Sequence, residues 1–336
     1  MATTRLSNII EPKIFAQYVL AQTVEKSAVL NSGIITRTPE AAQLANSGGT
    51  VMDLPHWNVL DYGESSVGSD DPDRKGETAG ITAAKQVAQK NFRNKAWSSM
   101  ALAGLVAGSD PMQAIATFAA NYWSKDLQNT LLAMLKGIAV NNVADNGGDM
   151  VVNVATDGTG AVTAAQKAGY ATIADTFQTM GDAQDSLGMI VMHSFVKTEL
   201  QKSEPGAWGP ISAVAPFGTY YGRTVIVTDA CPVEQGTNRK TYTTFMLGQG
   251  AFAYGEGDLG EDAAEVGRDP HSGDNSGEDK LFTRKAFVLH PRGYQSLAAV
   301  TAPFKSPTNA QFAAEGALKR VYDRKLVPIA ILKTNG

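Results

Sequence analysis

Hydrophobic and polar residues alternate along this chain with two periods, and the switches between them outline its elements. Over residues 49–58, and again over 80–95 through Ile81, Ala83, Lys85 and Val87, successive side chains point to opposite faces, the pattern of a half-buried strand. Between these stretches, residues 61–78 are rich in Gly, Ser and Asp, with Asp70, Asp71, Pro72 and Asp73 supplying turn chemistry. Residues 49–100 therefore predict a long hairpin with an acidic tip. Two strands alone are marginal in water, and no adjacent stretch of sequence supplies a surface for this pair to lie on.

The period then changes to 3.6. Ser109-Asp110-Pro111 reads as a helix start, an N-cap residue before a proline whose missing N–H costs nothing in the first turn. Apolar residues follow at Met112, Ile115, Phe118, Tyr122, Leu127, Leu131, Met134, Leu135 and Ile138, ending before Asp145-Asn146-Gly147-Gly148-Asp149. A helix of about thirty residues spans roughly 45 Å, well over twice the ordinary helix length. Beyond it the pattern predicts helices over 174–187 and 195–202, an apolar run at 189–192, and strands over 223–228, 241–247 and 281–289. A Gly-rich acidic loop is expected at 255–280, a helix after Pro307 and a strand at 327–332. This mixed order is that of an α+β protein. Residues 1–48, with Ile14, Phe15, Tyr18, Val19 and Leu20, hold too few large apolar side chains to bury a core and read as a partly helical arm.

Charge changes the picture by exclusion. Of 336 residues, 29 are Lys or Arg and 33 are Asp or Glu, a net charge of −4. Phosphate neutralisation dominates nucleic-acid affinity, so a chain that reads DNA sequence needs a clustered basic excess. Mild acidity still suits a wall that lies near packed DNA without adhering to it. The single Cys231 cannot form an internal disulfide, which points to synthesis in a reducing cytosol. The first ten residues lack a signal-peptide pattern, and no window approaches a membrane span.

Candidate chemistry is thin. Gly255, Gly257 and Gly260 have the spacing of a dinucleotide-binding turn, the basis of an alternative reading as a nucleotide-binding enzyme. Glu256, Asp258, Glu261 and Asp262 would repel a phosphate there, and no amphipathic helix follows, so the expectation is a turn in a solvated acidic loop. His56, His193, His271 and His290 are scattered without metal-ligand spacing, and His193 is expected in or beside the core. Residues 272–277 resemble a serine-protease nucleophile loop only superficially. The acidic clusters Asp70/Asp71/Asp73 and Asp145/Asp149 lack the ligand order of a calcium loop. Lys319, Arg320, Arg324 and Lys325 form the clearest basic cluster, on what reads as a helix face. The expectation is a protein without catalytic residues, cofactor or metal.

A loose arm, an unsupported hairpin and an overlong helix together describe a subunit completed by its neighbours. At this point the sequence resembles the major capsid (coat) proteins of tailed phages with the Hong Kong 97-like fold. The resemblance runs through residues 11–19 (EPKIFAQYV), 51–57 (VMDLPHW), 109–116 (SDPMQAIA), 180–187 with 191–195 (MGDAQDSL, VMHSF), 248–257 (GQGAFAYGEG), and 306–310 with 320–325 (SPTNA, RVYDRK). It implies an N-terminal arm (1–48), an extended loop (49–100), a peripheral domain with a spine helix (101–171), an axial domain (172–290) and a return to the peripheral domain (291–336). It implies hexamers and pentamers enclosing double-stranded DNA in a virion head, assembled in the bacterial cytoplasm. A scaffolding protein, a portal and a decoration protein are the implied partners, and no membrane is involved. An encapsulin-type cargo shell shares the fold and is the nearest alternative. The arm begins within about ten residues of Met1, which implies a separate scaffolding protein rather than a cleaved assembly domain. Lys75, Lys85 and Lys90 lie in or near the extended loop, but nothing local marks an isopeptide pair, and none is expected. An inter-subunit contact is expected between the acidic tip Asp70, Asp71 and Asp73 and a neighbour's Lys319, Arg320 and Arg324.

Overall fold

The computed structural model describes residues 32–60, 63–76, 78–102, 111–209 and 218–336. Residues 1–31 of the expected arm (1–48) and the Ser109-Asp110 helix start lie outside them. The described chain opens with strand β1 (Ile35–Arg37) and helix α1 (Pro39–Asn46), capped by the Thr38 hydroxyl, which accepts from the Ala41 N–H, with Pro39 in the first turn. The hairpin follows as β2 (Val51–Trp57) and the 18-residue β3 (Ala83–Met100). The long helix α2 spans Pro111–Asp145, 35 residues. Then come β4 (Val151–Asn153), α3 (Tyr170–Gln178), β5 (Leu187–Met192) and α4 (Ser194–Ser203). Short β6 (Trp208–Gly209) and β7 (Thr219–Tyr220) lead into β8 (Arg223–Val227), β9 (Val233–Gln235) and β10 (Lys240–Gly248). The chain closes with β11 (Phe252–Glu256), β12 (Ala264–Asp269), β13 (Glu278–Pro291), β14 (Tyr294–Ser296), the one-turn helix α5 (Asn309–Phe312), β15 (Leu318–Arg320) and β16 (Ile329–Thr334).

Two sheets organise these strands. The first runs β1-β11-β13-β3-β14-β15, with β12 on β13 and β2 on β3. The second runs β4-β16-β10-β5-β8-β7-β6, with β9 on β10. In the second sheet the strand period sorts side chains to two cores. Met189, Val191, Phe245, Leu247, Ile329 and Ile331 join Leu131, Leu135 and Ile138 of α2. Ile190, Met192, Met246, Ala330 and Leu332 join Ile173 of α3 and Val196 and Leu200 of α4. The α2 core also takes in Phe252, Phe287 and Leu289 of the first sheet, so the long helix ties the two sheets together. Its close seat on α5 depends on Gly137, where a Cβ would collide with the Phe312 carbonyl.

The structure corrects the sequence reading at several places. Helix α3 stops at Gln178, and a 3-10 segment over Gly181–Ser186 follows, because Gly181 takes φ +60° and breaks the helical run. The expected acidic loop at 255–280 contains β12, held on β13 by six paired positions, with Arg284 and Glu265 in contact at 2.9 Å. The helix after Pro307 is a single turn, and the basic cluster is not a helix face: Lys319 and Arg320 sit on β15, Arg324 and Lys325 in a 3-10 turn. Phe118, expected on the apolar stripe of α2, is 69% exposed. Strands β11, β12 and β13 belong to one sheet with the hairpin strand, and β4 and β16 belong with the β5–β10 layer. Long-range pairing decides sheet membership, and a local sequence pattern does not carry it.

Candidate assembly surface

The hairpin pairs Val51 with Gln89 through to Trp57 with Ala83, and its alternation is visible in burial. Met52, Leu54 and His56 are half-buried, with Met52 and Leu54 packed against the cluster of Ala41, Leu44, Ala45, Ala88 and Val288. Val51, Asp53, Pro55 and Trp57 point the other way and are exposed, Trp57 at 69%. Lys85 and Asp53 form an ion pair on that open face at 2.7 Å. The far half of β3 is not free: residues 90–100 pair with β13, so one strand of the expected hairpin runs on into the first sheet. Lys90 is buried and donates to the Ser47 carbonyl, which places it in the fold rather than on a reactive surface.

Described residues 63–76 at the hairpin tip are all exposed. Asp71 makes a tight turn there, its carboxylate accepting from the Asp73 N–H at 3.0 Å. Val67, 87% exposed, is the one large apolar side chain in this stretch.

The basic cluster is divided in its duties. Arg320 donates to both carboxylate oxygens of Asp149, at 2.9 and 2.8 Å, and Asn142 donates to the same carboxylate. Burial alone would raise the Asp149 carboxyl, but the bonds from Arg320 and Asn142 outweigh it and hold the group below the usual carboxylate range. Arg324 donates to the Thr179 hydroxyl and the Val327 carbonyl, and burial pulls its guanidinium down to about 10. Lys325 pairs with Asp182 at 2.7 Å. Lys319 is exposed and has no ion-pair partner among the described residues. Of the cations expected to meet a neighbour's acidic tip, Arg320 and Arg324 are thus engaged within the subunit.

The hairpin is latched to the body by contacts that sequence reasoning did not reveal. On β3, Gln86 donates to the Tyr322 hydroxyl at 2.8 Å and accepts from the Gly293 N–H at 2.8 Å, with His290 Nε2 3.3 Å from the same oxygen. His56 meets Tyr322 edge-on, ring centroids 4.6 Å apart. Between α1, the hairpin base and β13 lies a groove of ≈ 450 Å³ lined by Leu44, Met52, Leu54, Ala88 and Phe252, with His290 and Arg292 also at its wall. A second cleft of ≈ 480 Å³ adjoins it, sharing Arg292 and Tyr322 and reaching Trp57 and Val59.

The glycines of the dinucleotide-like spacing have a packing role. Gly255 lies within β11 and Gly257 just after it, and a Cβ on either would strike the α1 backbone at Ala41–Ala42 or Ala45. They are where a helix lies directly on a strand, not a turn in solvent. After Gly260 comes only a four-residue 3-10 segment. The histidines stay apart: His193 accepts from the Phe195 N–H to cap α4, and His271 lies beside Asn275. Residues 272–277 form a tight turn with Gly273, Asp274, Asn275 and Gly277 at positive φ. Cys231 is buried, its thiol pushed up to about 12 by desolvation.

Comparison with known proteins gives this surface its setting. Residues 81–325 match the family model described as major capsid protein 13-like. The chain is 34% identical to the major capsid protein of Bacillus phage SPP1 over 339 residues, covering 99% of this chain and 98% of the relative. Among solved structures, the capsid of Ralstonia phage GP4 is similar with a TM-score of 0.59 at 11% identity, over 90% of this chain and 87% of that one. The cyanophage Pam1 capsid is similar with a TM-score of 0.57 at 11% identity, over 93% of each chain. These likenesses carry the expected Hong Kong 97-like capsid fold, and with most of its length inside the family model and a relative similar end to end, the chain belongs to the major capsid protein 13-like family of phage shell subunits.

Proposed function

We propose that the chain assembles into hexamers and pentamers that close an icosahedral head around phage double-stranded DNA, in the cytoplasm of the host bacterium. The observation that supports this most directly is the hairpin: among the described residues β2 has one face on the body and one open, and tip residues 63–76 are all exposed. An exposed strand edge bearing Val51 and Trp57 is an association surface in water. In a symmetric shell many such modest contacts are repeated, so none has to be strong alone. The chain works in this reading by contact rather than by catalysis. A scaffolding protein, a portal and a decoration protein belong to it as partners. Membership in a phage capsid family favours DNA over an enzyme cargo as the contents.

Within this reading the acidic tip Asp70, Asp71 and Asp73 meets a cation of a neighbour. Of the three cations named for it, Arg320 and Arg324 are engaged at home and Lys319 stands alone in water. Electron microscopy of the chain expressed alone and with a scaffolding protein tests the assembly. Closed shells or uniform capsomers are expected, with nuclease-protected DNA in particles made during infection; a stable monomer under both conditions overturns the reading.

A further inference from the structure

We propose that the groove between α1 and the hairpin base is the seat of a second copy's loop tip, with Val67 in the groove and Asp70 against Arg292 at its rim. The inference rests on the assembly reading and adds the receptor to it.

The groove asks for two things. Its wall of Leu44, Met52, Leu54, Ala88 and Phe252 asks for an apolar side chain. His290, only 3% exposed, closes that wall with its Nδ1 out of reach of an occupant. Arg292 asks for an anion: it is exposed, lines both this groove and the adjoining cleft, and has no ion-pair partner among the described residues. Glu40 also lines the groove and Asp323 the adjoining cleft, so an incoming anion has its place only against Arg292 itself.

Residues 65–70 offer both within one short segment. Val67 is the apolar side chain, nearly fully exposed where it stands. Small Ser66 and Gly68 on either side let Val67 enter a narrow site. Asp70 has no partner among the described residues, whereas the Asp71 carboxylate is occupied by its own turn. Three residues of extended chain, about 10 Å, separate Val67 from Asp70, enough to reach from groove to rim. Lys319 offers a lone charge in water, and exposed ion pairs contribute little. It also lies on the other face of the sheet: Lys319 pairs with Gln295 and Gln295 with Val87, whose side chain points away from those of Gln86 and Ala88.

The test co-assembles two single-cysteine chains of different length, one Val67→Cys and one Thr36→Cys, and oxidises the particles with copper phenanthroline. Thr36 is exposed and lines the groove, and the native Cys231 is buried, so background crosslinking is low. The expected result is a reducible band at the summed mass of the two chains, which only an inter-subunit bond can give. A Val67→Cys chain that instead bonds to Lys319→Cys, or particles with neither bond, overturn the groove and leave assembly standing. A wild-type chain that makes no particles overturns the assembly reading, and this contact with it.

Discussion

Strands β2 and β16 obey the same two-residue period, yet one is left unfinished by its own subunit and the other is not. In β16, Ile329 and Ile331 face α2 while Ala330 and Leu332 face α3 and α4, so both sides of the strand are buried. In β2, Met52 and Leu54 face α1 while Val51, Asp53, Pro55 and Trp57 face solvent. Apolar burial is the main stabilising force, so the subunit's folding free energy is concentrated in the layer around β16. The open face of β2 has its stabilisation deferred to a neighbour. The difference teaches where to look for assembly: at strands with a proper hydrophobic period and one face uncovered.

The largest effect should come from cutting into the covered layer. Phe245 on β10 is fully buried between β5 and β16 in the α2 core. Phe245→Ala removes its ring and leaves a cavity that a close-packed core refills only in part, at a cost of about 3–5 kcal/mol. Urea unfolding of the unassembled subunit should show the unfolding free energy fall by that amount. A loss under about 1 kcal/mol would mean the layer does not dominate stability, and the contrast with β2 would fail.

Next in size is a pH effect at the join between the two regions. His290 is buried on β13 beside Gln86 of the hairpin, and desolvation holds its imidazole down to about 4 from an ordinary 6.5. The unfolded chain therefore binds a proton below about 6.5 that the folded chain refuses until about 4. Stability is full above 6.5 and falls between those values, by about 3 kcal/mol at about 1.4 kcal/mol per unit. Glu40 and Arg292 line the same groove, but burial alone drives the shift. His290→Gln, compared with wild type by urea titration from pH 7.5 to 4, should remove that part of the slope. An unchanged slope would place the acid sensitivity elsewhere.

Much of this was legible from periodicity. The hairpin, the long helix, the apolar run that forms β5, and the strands β8, β10 and β13 each follow a local pattern, and the structure places them within a few residues of expectation. What stayed hidden depends on contacts distant in sequence. Gly255 and Gly257 mimic a nucleotide turn because both settings need a bare backbone, and only the position of α1 tells them apart. Arg320 and Arg324 look like a free basic patch until Asp149 and Thr179 are brought to them. Gln86, His290 and Tyr322 lie on three separate segments, so no window of sequence unites them. Val67 did leave a signal, a single large apolar side chain in a stretch of Gly, Ser and Asp.

The smallest expected effect on the subunit is the sharpest test of the comparison. Trp57 ends β2 with most of its surface exposed and no covering element on that face among the described residues. Trp57→Ser should change the unfolding free energy of the isolated subunit by no more than about 0.5 kcal/mol, as exposed substitutions usually do. A large aromatic at an interface is a common anchor, however, and its loss there typically costs above about 2 kcal/mol. Repeated at every copy of a shell, that loss should abolish particles on sucrose gradients while the monomer's unfolding curve stays where it was. If the variant assembles at wild-type yield, the open face of β2 is ordinary surface. If it unfolds as Phe245→Ala does, β2 belongs to the subunit's own core and the two strands do not differ in kind.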